Sequence, residues 1–112
     1  MASLTRAQTI ARVLERIGVK DSGASVNATD ASLCGEVLDD VHQQLKKAGI
    51  APWATSAVPS YAQGPFIKCV AAEVSPYFQL GDNPALRKEG EAELRRQEKA
   101  KKHSRSIELV RF

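Results

Sequence analysis

Apolar residues recur every three or four positions in three separate stretches of this 112-residue chain, and glycine closes the first two. That spacing lines up side chains on one face of an α-helix, and it leaves little room for strands. The first stretch runs from Thr5 to Ile17. Ala7, Ile10, Ala11, Leu14 and Ile17 form its stripe, and Arg6, Arg12, Glu15 and Arg16 fall mostly on the other side. Gly18 ends it, as a residue that accepts a left-handed cap should. After a polar linker, Asn27 offers an N-cap and Asp30 an acid for the positive end of the next helix. That helix runs to Ala48, with Leu33, Val37, Val41, Leu45 and Ala48 inward and Leu38 widening the stripe. Glu36, Asp39, Asp40, His42, Gln43, Lys46 and Lys47 make its wet face, and Gly49 stops it.

Residues 50–64 read as a loop, with Pro52, Pro59 and Gly64, and with Trp53 packed back on the core. The third helix is expected over 65–78. Phe66, Ile67, Val70, Ala71, Val74, Tyr77 and Phe78 cover more than one of its faces, as in a helix buried between others. Pro76 should kink or stop it. Asn83-Pro84 is a start signal, with Asn at the N-cap and Pro at the first helical position. The fourth helix is expected over 84–102. It is thin in apolar residues, and the pairs Arg87–Glu91 and Glu91–Arg95 lie four apart, as in a solvent-facing helix. Ser104 to Phe112 is β-prone and alternating, which predicts an extended segment. The pattern as a whole predicts an all-α, four-helix bundle-like domain with a polar fourth helix and an extended C-terminal tail. It divides into a helical core over 1–94 and a basic helix end with a docking tail over 95–112.

Composition narrows the class. Hydrophobic residues are 43% and charged residues 26%, as in globular chains. The longest charge-free run, Ala48 to Ile67, holds three prolines and two glycines and cannot span a bilayer as a helix. The first twenty residues carry charges throughout, so no signal peptide is expected. Cys34 and Cys69 sit in apolar patterns and read as core thiols of a reduced, intracellular protein. The net charge is +3, but residues 95–111 hold seven basic side chains against two acids. A basic end of this kind suits an acidic protein surface, nucleic acid or plain solvation.

Catalytic constellations are missing from the pattern. His42 and His103 have no cysteine or acid at metal-ligand spacing. Asp39 and Asp40, adjacent on a helix, point about 100° apart and form no dyad. Cys34 and His42 lie about two turns apart, too far for a nucleophile and its base. No catalytic, cofactor-binding or metal-binding residue is expected, and no cofactor. The basic run matches no helix-turn-helix, zinc or RNA-recognition pattern, so on DNA it would supply a sequence-independent electrostatic contact.

The stretch from Ala11 to Ile50 resembles the opening of the head–tail adaptor proteins of tailed bacteriophages, also called head completion proteins. The first helix leads into Ile17-Gly18-Val19, where that family has a leucine-glycine-valine turn. Asn27 to Asp30 match its N-cap and acid, and Gly49-Ile50 match the end of its long second helix. The stretch from Ala71 to Phe78, with Gly81, loosely matches the alanine-rich end of its third helix. The likeness covers residues 4–102 and leaves out the last ten. It implies a helical protein that forms a ring, commonly of about twelve copies, on the portal protein. Such a ring extends the DNA channel and offers a platform to the next tail component. Packaged DNA would pass without sequence-specific contact, no membrane would be involved, and the place of action would be the virion, assembled in the host cytoplasm. The partner-binding residues expected on this reading are Arg95, Arg96, Lys99, Lys101, Lys102 and Arg105, with Ile107, Leu109, Val110 and Phe112. The alternative is a small DNA-binding accessory protein that uses the same basic run.

Overall fold

The structure, a computed structural model, describes residues 3–21 and 24–110, with side chains described through Ala100. It is all-α: α1 spans Arg6–Arg16, α2 Ala28–Lys47, α3 Ser60–Val74 and α4 Pro84–Val110, with a short 3-10 turn over Ser75–Phe78. The helix starts follow local chemistry. Thr5 and Gln8 close a reciprocal capping box at α1, in which Thr5 Oγ1 accepts from the Gln8 amide and Gln8 Oε1 from the Thr5 amide. Asn27 Oδ1 accepts from the amides of Thr29 and Asp30 at α2, and Asn83 Oδ1 from the amide of Leu86 at α4. Gly18 and Gly49, both at φ +79°, take the left-handed conformation just past the ends of α1 and α2.

α3 is the hub. α1 and α2 pack against each other and against α3, and α4 lies antiparallel along α3 in the most extensive helix pair of the domain. The core is filled by Val13 and Leu14 of α1, Cys34, Leu38, Val41 and Leu45 of α2, and Phe66, Cys69, Val70 and Val74 of α3. Leu94 of α4 closes it on the far side. The loop from Ala48 to Pro59 is held by buried Ile50, Ala51 and Val58. Leu4 and Val58 also exchange two backbone hydrogen bonds of 3.0 and 2.9 Å, an isolated antiparallel bridge. Trp53 stands edge-on to Phe66 with ring centres 4.9 Å apart, so it does fold back on the core.

Four expectations are corrected. α3 begins at Ser60, not at Pro65, and Pro65 lies inside it. A proline in its second turn removes one amide and crowds the carbonyl four residues back. Burial of Pro65 and Phe66 within the hub offsets that cost. Tyr77 is 63% exposed, because Pro76 tightens the chain into the 3-10 turn and rotates it off the buried face. His42 is not on a wet face; it is only 7% exposed. The last segment is not extended, since α4 continues to Val110. β propensity mostly reflects fit to neighbouring strands. With no strand beside it among the described residues, and no Pro or Gly after Gly90, the helix satisfies the backbone within the segment. Arg111 and Phe112 lie outside the described residues.

Candidate functional site

α4 presents two unlike faces, and its sequence dictates which turns inward. Gly90, Leu94 and Glu98 recur every four residues and are all buried against α3. Gly90 permits the close approach. A Cβ there would stand 2.6 Å from Cys69 Sγ and 2.7 Å from the Pro65 carbonyl oxygen. Leu94 is fully buried one turn on. One further turn along, the Glu98 carboxylate accepts a 3.1 Å hydrogen bond from the Tyr61 hydroxyl at the start of α3. A buried carboxylate is tolerated where hydrogen bonds replace its water.

Glu89, Glu91 and Glu93, the other acids of α4 among the described side chains, are engaged beside this seam. Lys68 of α3 donates to Glu89 at 3.0 Å and to Glu93 at 2.6 Å. These bonds, the Glu93 one foremost, hold the Lys68 ammonium above its ordinary range. Arg87 bonds Glu91 at 3.1 Å, Glu73 at 2.8 Å and the Gln44 side chain at 2.9 Å, tying α4 to both α3 and α2. What remains outward is cationic. Lys88, Arg95, Arg96 and Lys99 are exposed, and Arg95 keeps only a loose 3.7 Å contact to Glu91. Three of the expected partner-binding residues, Arg95, Arg96 and Lys99, therefore do share one exposed stretch of helix. The backbone of Lys101, Lys102, Arg105, Ile107, Leu109 and Val110 continues the same helix, while their side chains lie outside the described residues, as does Phe112.

The remaining polar chemistry is structural. His42 Nε2 lies 2.7 Å from the Trp53 carbonyl oxygen, which can only accept, so this ring nitrogen carries the proton and donates it. The imidazole also packs against the Trp53 and Phe66 rings. It clips the loop to α2 and faces no nucleophile. Cys34 and Cys69 are free and buried. Burial pushes their thiols up, to about 11 and about 12, far from the low values of reactive cysteines. Among the described residues no group of three His, Cys, Asp or Glu side chains is placed to hold a metal ion. No helix among them is long and apolar enough to cross a membrane.

Sequence reasoning missed Lys88, which lies before the run of cations, and the inward turn of Glu98. The four-residue recurrence of Gly90, Leu94 and Glu98 was the available signal, but glycine and glutamate are invisible to a search for apolar periodicity. No protein-family model, curated protein or solved structure matches the chain.

Proposed function

We propose that the protein is a non-catalytic connector of a tailed phage virion. It would join the portal as a ring of like subunits, extend the DNA channel and offer the attachment platform for the next tail component. The observation that carries this reading is the overrun of α4. The helix has 27 residues, α3 beside it has 15, and the two part company near the Tyr61–Glu98 bond. About three turns of α4, roughly 18 Å, run on past the start of α3. A helix that outruns the core of its own subunit suits contact with another. The segment in question carries Lys101, Lys102 and Arg105, then Ile107, Leu109, Val110 and Phe112. A basic approach followed by apolar anchors is a sound composition for docking: charge steers the encounter and apolar burial holds it.

The test is deletion of residues 104–112. The truncated protein keeps nearly the same thermal midpoint and fails to attach to purified portal rings in electron micrographs, whereas the full chain decorates them. Normal decoration by the truncated protein, or no decoration by the full chain, overturns the connector reading.

A further inference from the structure

We infer that the outward ridge of α4, formed by Lys88, Arg95, Arg96 and Lys99, binds the phosphate backbone of double-stranded nucleic acid without regard to sequence. The first ground is the sign and purity of the surface. Read as sequence, the stretch 95–105 contains an acid, Glu98, that would offset part of its charge. In the fold Glu98 is only 7% exposed, and its carboxylate is hydrogen-bonded to Tyr61 on the opposite side of the helix. Glu89 and Glu93 are turned to Lys68, and Glu91 is held chiefly by Arg87. From Leu94 to Ala100 no carboxylate faces out, so this stretch of the ridge is purely cationic; next to Lys88 the exposed Glu89 is paired with Lys68.

The second ground is what the ridge lacks. Stable protein partners are held by apolar or aromatic anchors at the centre of the contact. Between Lys88 and Ala100 the exposed residues are Lys88, Glu89, Ala92, Arg95, Arg96, Gln97, Lys99 and Ala100, with no aromatic or large aliphatic side chain. A phosphate backbone asks for nothing more than placed cations and hydrogen-bond donors. The third ground is form. The cations sit on a straight, pre-ordered helix, and Arg95 and Lys99 are separated by about 6 Å along its axis, close to the rise of about 6.8 Å over two phosphates of one strand. Arg95 and Lys99 thus stand at a spacing that two phosphates of one strand can match, on a backbone already ordered, so that contact has only side chains to fix. Nucleic acid takes the place of an acidic protein surface as the occupant of Arg95, Arg96 and Lys99. The inference stands apart from the connector reading, because it concerns the flank of α4 and not its end.

The experiment uses the full-length protein and a fluorescently labelled DNA duplex of arbitrary sequence, followed by anisotropy over a range of salt. Wild-type protein binds, and the logarithm of its affinity falls linearly with the logarithm of salt concentration. The variant R95Q/R96Q/K99Q loses three phosphate contacts. Its slope becomes shallower by about 2.7, and its affinity at the low-salt end of a fourfold range falls about 40-fold further than at the high-salt end. The variant K46Q/K47Q, at the exposed end of α2, leaves the slope unchanged. A second duplex of unrelated sequence is bound equally well. Failure of wild-type protein to bind, or a slope that R95Q/R96Q/K99Q does not alter, overturns the proposal. So does a polyglutamate chain that competes as well as DNA, which assigns the ridge to an acidic protein. All three substitutions lie on exposed side chains, and the wild-type salt slope is read without any variant.

Discussion

Two helix-interior glycines, Gly35 and Gly90, offer a test of the packing argument, because replacing each with alanine should shift stability in a different way. In an open helix the change gains about 1 kcal/mol from backbone propensity. At both sites the new methyl would meet an atom at 2.6 Å. At Gly35 that atom is the tip of the Arg6 side chain, which can swing away at the expense of its half-exposed pair with Asp39, a contact worth about 0.5 kcal/mol. Gly35→Ala should therefore be neutral or stabilising by about 0.5 kcal/mol. At Gly90 the obstacles are Cys69 Sγ, the Pro65 carbonyl and the Cys69 amide nitrogen. Backbone cannot swing away, so α4 must lift off α3 and loosen the seat of Leu94. Overpacking of this kind costs about 3 kcal/mol at the upper end of its usual range. After the propensity gain, Gly90→Ala should be destabilised by about 2 kcal/mol, and a chain of this size then melts about 8 °C lower. Urea unfolding followed by far-UV circular dichroism measures both variants. A Gly90→Ala protein as stable as wild type would refute the close-approach account, as would a Gly35→Ala protein weakened to the same degree.

Two further outcomes follow from buried groups. Cys34 and Cys69 should resist a thiol reagent at mildly alkaline pH until the protein unfolds, and rapid labelling of the native state would contradict their burial. Their thiols ionise near 9.0 in the unfolded chain but only near about 11 and about 12 in the fold, so the proton is held longer by the folded state. Stability is then full below pH 9 and declines as pH rises above it; a urea midpoint that increases across that window counts against the assignment. His42→Phe keeps an aromatic ring but leaves the Trp53 carbonyl without its donor, at a cost of about 1–3 kcal/mol. Acrylamide quenching of Trp53, the one tryptophan, should increase, and unchanged quenching would show that the clip does not hold the loop.

Much of the scaffold was legible in the sequence because it rests on local chemistry. Asn27, Gly18, Gly49 and the Asn83-Pro84 pair each act through the backbone within a turn, and each marks a helix boundary in the structure. The start of α3 was hidden by Gly64-Pro65, which reads as a break. Ala62, Phe66 and Cys69 keep helical spacing through it and would have placed the start earlier. His42 was misplaced because its partner is a carbonyl in the loop, a long-range contact with no local signature. The cationic residues of α4 could be read as residue types but not as a surface, since that depends on where Glu98 points.

In the language of networks, α3 is the node through which nearly every link to α4 passes. α1 and α2 sit on one side of it, α4 on the other, and the bond from Arg87 to Gln44 is a bypass that joins α4 to α2 directly. Strain applied to the projecting end of α4 therefore meets α3 first, at Glu98, Leu94 and Gly90, before it reaches the Arg87–Gln44 link further along the helix. The same arrangement insulates. A load borne along the axis of α4 reaches α1 through α3, the helix against which the other three pack.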